Sequence, residues 1–316
     1  MKTALIVTLS ILTFLLVLTL FSSIIAYYMC FYNNLKGADR LVDELNTEQF
    51  KPYFDKMQSL IKEAYSVPYD EDINIKSYDG LNLHGRFSKC EGSNRYSIMF
   101  HGYKGEARRD FSGGVKENLS LGLNLYLVDQ RGHGESDGRT ITFGVKERLD
   151  LKRWVDYVIE KHGENIEILL EGISMGAATV LFAADFSFPK AVKGIFADSP
   201  YTTPKDITMK VAVEDMHIPR LLAYYLLSSS AFLIAHFKFD SVDARETVKN
   251  SKLPILIIHG KEDRYVPHEM SEEIQASNPN NIELLEIDGA GHAIPYIVDH
   301  ETYMIAFKNF LNRIFE

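Results

Sequence analysis

Ile166-Glu167-Ile168-Leu169-Leu170-Glu171-Gly172-Ile173-Ser174-Met175-Gly176-Ala177-Ala178-Thr179 is the stretch that decides the fold. An apolar run leads into a glycine-flanked serine, and small residues follow it. That order predicts a strand, a tight turn and a helix, with Ser174 at the apex. The Gly-x-Ser-x-Gly spacing has a mechanical reason. A strained turn lifts the hydroxyl above the sheet, and glycines two before and two after keep side chains out of the crowded space beside it. The pattern alone is weak in a chain with 20 glycines. Two stretches further along strengthen it: Gly260-Lys261-Glu262-Asp263 after one apolar run, and Gly289-Ala290-Gly291-His292 after the next. Serine, acid and histidine then occur in that chain order, each after a strand.

These positions carry a specific chemistry. A serine hydroxyl is a poor nucleophile until a base takes its proton; the alternative for Ser174 is a simple helix cap. His292, in a loop of small residues, suits the base because its ordinary pKa is near neutrality. Asp263 is placed to hold the imidazole tautomer, with Glu262 and Asp198 as rivals. His300 reads as an exposed residue of the final helix. Two backbone N–H groups are candidate oxyanion donors: Met175, just after the serine, and Tyr103, in the loop His101-Gly102-Tyr103-Lys104-Gly105. His101 reads as a prop for that loop. Asp129-Gln130-Arg131-Gly132-His133-Gly134-Glu135-Ser136 reads as a structural turn, and it lacks the ending and spacing of a phosphate-binding loop.

The chain has 316 residues, 46% hydrophobic and 24% charged, which suits one large α/β domain plus an additional segment. Formal net charge is −9, and no basic stripe invites nucleic acid. Two cysteines, Cys30 and Cys90, make no disulfide framework, and no Cys/His spacing suits a metal. The additional segment comes first. Ala4 to Ala26 holds no charge and spans about 34 Å as a helix at about 1.5 Å per residue, enough for a hydrocarbon core of about 30 Å. Tyr27, Tyr28, Phe31 and Tyr32 follow as an aromatic belt. The run is long for a cleaved signal peptide and its end is a poor cleavage site. The expectation is an uncleaved single-pass anchor over residues 1–32 in the cell membrane. Lys2 on one side nearly balances Lys36 and Arg40 on the other; the lean is to an extracytoplasmic domain.

Residues 33–66 read as a helical stalk, with Leu41, Leu45, Phe50, Phe54, Met57, Leu60 and Ile61 at roughly helical intervals. The domain is expected over 67–316. A hairpin turning at Asp79-Gly80 opens it, and strands then alternate with helices, which predicts a mostly parallel sheet covered on both faces. Tyr201 to Asp240 is too long for a plain crossover and rich in Leu, Phe and Tyr; it reads as a small helical cap over Ser174.

Phe100-His101-Gly102-Tyr103, Asp129 to Ser136, Gly172 to Gly176, Ala197-Asp198-Ser199-Pro200-Tyr201, Gly260 to Asp263 and Gly291-His292 together resemble the α/β-hydrolase superfamily. The likeness is to bacterial membrane-anchored members of the serine aminopeptidase-like branch, which are similar to cinnamoyl and feruloyl esterases. It covers about residues 67–316. It implies an eight-stranded, mostly parallel sheet with helices on both faces, a Ser174-His292-Asp263 triad and no cofactor or metal. Serine rather than aspartate at 174 argues against epoxide hydrolase and dehalogenase relatives. The implied partner is a small-molecule ester, with a hydrophobic acyl or aryl group favoured by the apolar cap and the membrane. The alternatives are a serine aminopeptidase or amidase, with Glu214 and Asp215 of the cap holding the substrate ammonium, and an inactive membrane-tethered binding module.

Overall fold

The computed structural model describes residues 1–34 and 49–315. Among the described residues eight strands form one sheet: β1 (Glu71–Lys76), β2 (Asn82–Ser88), β3 (Arg95–Phe100), β4 (Leu123–Val128), β5 (Glu167–Ile173), β6 (Val192–Asp198), β7 (Ile255–Gly260) and β8 (Ile282–Ile287). Their order is β1-β2-β4-β3-β5-β6-β7-β8. The β1–β2 hairpin and the β2–β4 pair are antiparallel, and every later pair is parallel. The helices are α1 (Lys2–Ala26), α2 (Phe54–Ser66), α3 (Ala107–Asp110), α4 (Gly114–Ser120), α5 (Glu147–His162), α6 (Met175–Phe182), α7 (Pro204–Lys210), α8 (Arg220–Leu233), α9 (Ala244–Val248), α10 (Glu269–Ser277), α11 (Pro295–Val298) and α12 (His300–Ile314).

The central strands are buried on both faces, so they read as continuous apolar runs rather than alternating ones. Their side chains still divide with period two. Ile98, Leu170, Ile195 and Ile257 join the core under α5, α6 and α9. Met99, Leu169, Phe196 and Leu256 join the core under α2, α4 and α12. The parallel register carries β3, β5, β7 and β8 to one rim, so the loops after them converge there. This is the α/β-hydrolase architecture that the resemblance implied.

The front of the chain departs from the expected anchor and free stalk. Residues 27–34 enter the domain. Phe31 is fully buried, with its ring 5.8 Å from Phe143 and 5.4 Å from Phe237. Ile141 N donates to Phe31 O at 2.7 Å, and Asn33 Nδ2 to Gly132 O at 2.9 Å. Removing one such ring from water stabilises by about 1.5–3 kcal/mol. The aromatic belt is thus divided: Phe31 faces the core, while Tyr28 and Met29 stay exposed. The proposed stalk lies partly on residues 35–48, outside the described residues. Its remainder lies on the domain instead of standing away from it. Met57, Ile61 and Ala64 of α2 are buried, with Ala64 in the core.

The long insertion is helical, as α7, a π-turn at Val211–Asp215 and α8. Thr203 caps α7 by accepting from Asp206 N at 2.8 Å. In α8, Ala223, Leu227, Ser230 and Ala231 recur at helical intervals and are buried. The insertion packs beside α1 and is not the wall over Ser174, as the cavity below makes plain.

Candidate active site

Ser174 stands at the carboxyl end of β5, in the middle of the sheet. Its backbone is strained, at φ 55° and ψ −114°. Two contacts hold it there: Ser174 N donates to Asp198 O at 2.8 Å, and Ala178 N to Ser174 O at 3.0 Å. The turn needs its glycines. A Cβ on Gly172 would run into the backbone of Gly176, and one on Gly176 into the Phe100 carbonyl. The sequence pattern and the strained serine thus have one cause, close backbone approach.

His292 comes from the loop after β8 and Asp263 from the loop after β7. His292 Nε2 lies 2.8 Å from Ser174 Oγ, and His292 Nδ1 lies 2.7 Å from Asp263 Oδ2. The three residues form one hydrogen-bonded chain. Asp263 is completely held. Oδ1 accepts from Tyr265 N at 2.9 Å and Val266 N at 2.8 Å, while Oδ2 also faces His259 Nε2 at 3.1 Å. His259 Nε2 lies 3.0 Å from the Val266 carbonyl, which can only accept, so that nitrogen carries the proton. Ser271 Oγ meets His259 Nδ1 at 2.6 Å. His259 therefore backs the acid. Sequence reading missed it because it ends an apolar strand like any buried polar residue.

Charge follows the geometry. Burial raises the Asp263 pKa, but the imidazoles of His292 and His259 outweigh it and hold the carboxyl well below the ordinary range. Burial also opposes a charged His292; the Asp263 carboxylate overcomes it, and the imidazole pKa is raised. The rival acids are engaged elsewhere. Asp198 accepts from Ser199 Oγ at 2.8 Å and Tyr303 OH at 3.1 Å, and burial raises it to about 6. Glu262 is exposed. Glu171, beneath the serine turn, accepts from Ser97 Oγ and Asn118 Nδ2, and burial raises it to about 7.

The loop after β3 brings Gly102 against the serine; a Cβ there would stand 3.5 Å from Ser174 Cβ. Gly102 N donates to Asp110 Oδ2 at 2.9 Å. His101 props the loop: its Nε2 accepts from Gln130 N at 3.1 Å and its Nδ1 lies 2.8 Å from Gly102 O. Tyr103 lines the cavity, stacks on Phe143 at 5.0 Å, and donates its hydroxyl to Cys30 O at 2.7 Å. Met175 opens α6, where first-turn N–H groups have no helical partner. The Asp129–Ser136 segment is a turn held by its own groups and by neighbouring side chains. Asp129 accepts from Glu135 N at 3.0 Å and meets His84 Nδ1 at 2.8 Å, while Arg131 forks onto Asp150 at 2.6 and 2.7 Å. His300 is exposed and faces Glu117 at 3.4 Å.

A cavity of about 900 Å³ contains Ser174 and His292. Its apolar wall includes Phe50, Met57, Leu60 and Ile61 from the segment before the domain, with Ile297 and Met304 opposite. No described residue of 201–240 lines it. The expected cap over the serine is therefore corrected: the covering segment is 49–61. Gln49 Nε2 donates to His292 O at 3.2 Å, so this segment also touches the histidine loop. Sequence reading missed that wall because its amphipathic spacing fits a stalk equally well. Cys30 and Cys90 are free thiols. His268, Glu272 and Glu286 bring ligand atoms within 4.8 Å of one another. None of them lines the cavity, and His268 Nδ1 lies 2.7 Å from Glu286.

A model of the family described as "Serine aminopeptidase, S33" matches residues 94–233. An uncharacterized protein of Bacillus subtilis, YqkD, is 24% identical over 292 residues, covering 88% of each chain. The Pyrococcus furiosus esterase Pf2001 superposes with a TM-score of 0.65 at 26% identity, over 80% of this chain and 93% of that one. Est1E of Butyrivibrio proteoclasticus, solved with ferulic acid, has a TM-score of 0.57 at 20% identity, over 77% of this chain and 99% of its own. At that identity it speaks for the fold alone. The helix Lys2–Phe31 is long and apolar enough, by length and composition, to cross a membrane; a signal sequence would meet the same test.

Proposed function

This chain is a member of the α/β-hydrolase superfamily, and on that premise we propose that it is a serine carboxylesterase held at the cell membrane by its first helix. The observation that carries the reading is the unbroken hydrogen-bonded chain from Ser174 Oγ through His292 to Asp263.

In the proposed cycle, Ser174 Oγ attacks the ester carbonyl while His292 Nε2 takes its proton. The carbonyl π electrons move onto oxygen. The N–H groups of Met175 and Tyr103 donate to that oxyanion, each worth about 10²–10³ in rate at comparable sites. Asp263 keeps the Nδ1 proton in place and favours the imidazolium. The tetrahedral intermediate collapses, the alkoxide leaves with the Nε2 proton, and an acyl-serine remains. Water, deprotonated by the same nitrogen, repeats the sequence and releases the acid. The cavity wall at Phe50, Met57, Leu60 and Ile61 supports a hydrophobic acyl or aryl group.

The aminopeptidase alternative requires a site for an ammonium. Glu214 and Asp215 are exposed and outside the cavity, and Asp215 is paired with Lys210 Nζ at 3.0 Å. The apolar wall at Phe50, Met57, Leu60 and Ile61 is what favours esterase chemistry, in a cavity that also carries the carboxylates of Asp110, Glu117 and Glu262. The topology proposed has the N-terminus in the cytoplasm and the hydrolase outside. A fluorophosphonate probe tests the reaction. It should label the protein and fail on Ser174→Ala; equal labelling of both refutes the nucleophile. Nitrophenyl esters of rising chain length should be hydrolysed faster than an aminoacyl anilide, and the reverse preference refutes the esterase reading.

A further inference from the structure

We infer that α8 is a second membrane-contacting element, the outer face of whose amino half lies in lipid beside α1. This rests on the reading of α1 as a bilayer span. The two helices run side by side in one direction. Thr19 Oγ1 meets the Tyr225 hydroxyl, and four residues on along each helix Ser23 Oγ lies 2.8 Å from Ser229 Oγ. Thr19 and Ser23 of α1 thus turn their hydroxyls toward α8, and Ser23 is fully buried there. The inner side of α8 is already occupied by the domain. Its outer side is apolar and uncovered: Leu221 is 87% exposed and Phe232 65%, with Leu222, Tyr224, Tyr225 and Leu233 also exposed. A soluble surface rarely carries such a cluster without an occupant.

Length identifies the occupant. A hydrocarbon core of about 30 Å needs about 20 helical residues. Counted from Lys2, that length ends near Phe21 and so takes in Thr19. Tyr225 touches Thr19, and Arg220, Leu221 and Leu222 lie back toward the Lys2 end of α1, so they are deeper. Five residues from Tyr225 to Arg220 add about 8 Å. Keeping α8 out of the bilayer would draw Phe14 and the residues after it into water. Counted from the charge of Lys2, about 12 residues, or about 18 Å, would then remain for a core of about 30 Å. The surface α8 presents is therefore continuous with that of α1, and the lipid that covers one covers the other. The preceding turn carries Glu214, Asp215 and His217, whose charges keep the amino end of α8 near the headgroups. Arg220 can send its guanidinium up to the headgroups along its aliphatic stem. Tyr224 and Tyr225 suit the lipid–water boundary. With Tyr103 on the cavity wall bonded to Cys30 O at the end of the anchor, the cavity is then held at the surface where amphiphilic esters concentrate.

The test uses the full chain in phosphatidylcholine vesicles whose acyl chains carry bromine. Trp154, fully buried in the core, is the unquenched reference. Leu12→Trp reports α1; Leu221→Trp and Phe232→Trp report α8. The expected result is quenching of Leu12→Trp and Leu221→Trp, with Leu221→Trp quenched more by bromine near the carbonyl end than near the methyl end. Phe232→Trp should be quenched less than Leu221→Trp. Quenching of Leu12→Trp with none at Leu221→Trp overturns the inference and leaves the anchor standing. No quenching of Leu12→Trp defeats the anchor reading and the inference with it. Unquenched Leu221→Trp together with Leu221→Cys cross-linking between chains would make a second copy the occupant, which also overturns it.

Discussion

Replacing Asp263 by asparagine changes one atom and should disable the proposed base. The environment decides which way the amide turns. Tyr265 N and Val266 N both donate to Asp263 Oδ1, and both are fixed by the backbone. The asparagine oxygen must therefore take that side, which turns its NH₂ toward His292 and His259. The amide then donates to His292 Nδ1, so the ring proton moves to Nε2. That nitrogen now donates to Ser174 Oγ, at 2.8 Å, where it formerly accepted. The hydroxyl keeps its proton and attack fails. In triads of this kind the wrong tautomer costs about 10⁴-fold in kcat. The NH₂ also meets His259 Nε2–H, donor against donor. Leaving a buried polar group unmatched costs about 1–3 kcal/mol, so a lower Tm should accompany the rate loss. Steady-state hydrolysis of a nitrophenyl ester reads the effect, with KM nearly unchanged because Asp263 does not line the cavity. Asp198→Asn is the comparison, because Asp198 serves Ser199 and Tyr303. An Asp263→Asn enzyme that keeps more than about a tenth of its kcat, or an Asp198→Asn enzyme that falls as far, refutes the reasoning.

Four further outcomes follow from the structure. The acid limb of kcat/KM should have its midpoint above 6.5, because Asp263 raises the His292 pKa and only the neutral ring can act as base; a midpoint below that value contradicts it. Asp263, depressed in the fold, contributes stability that is present above its ordinary value of 3.8 and lost as pH falls below it. Thermal melts between about pH 4 and pH 2 should show a decline that Asp263→Asn lacks. Phe31→Ala should cost about 3–5 kcal/mol in denaturant unfolding, because the ring is fully enclosed by the domain; a cost under about 1 kcal/mol would mean that the end of the anchor does not dock. Leu60→Trp should shrink the cavity and lower kcat/KM for long-chain esters at least about tenfold relative to the acetate, and an unchanged chain-length profile would remove α2 from the substrate wall.

Where the governing contacts are local, the sequence was readable. Gly172, Ser174 and Gly176 are constrained by one another and by the adjacent strands β3 and β6, so the spacing itself carries the turn. The alternation of apolar runs with amphipathic helices carried the sheet for a similar reason. The failures come from surfaces whose partners are distant along the chain. An aromatic ring at position 31 looks the same whether it meets lipid or Phe143 and Phe237. Met57, Leu60 and Ile61 have the spacing of any amphipathic helix, and nothing in that spacing says that the partner is the cavity. The apolar residues of α8 suggested a cap by their composition; their position beside α1 depends on Thr19 and Ser23, about 200 residues away. His259 shows the same limit within the site, since its role depends on a carboxylate in the following loop.

The family match, residues 94–233, holds Ser174, the Tyr103 loop and α8, while Asp263, His292, the 49–61 wall and the end of the anchor lie outside it. Tyr103 connects the two regions. Its backbone belongs to the loop proposed to bind the oxyanion, its ring stacks on Phe143, and its hydroxyl bonds to Cys30 O beside buried Phe31. Force applied at the end of α1 therefore reaches that loop directly through the Cys30 hydrogen bond and indirectly through Phe31, whose ring meets Phe143 edge-on, and Phe143, which stacks on Tyr103. A chain cut after the anchor but before Cys30 keeps both contacts; one cut after Asn33 loses both. The physical boundary between anchor and hydrolase thus falls near Tyr27, where the α-helix passes into a π-turn, and the residues up to Asn33 belong to the hydrolase.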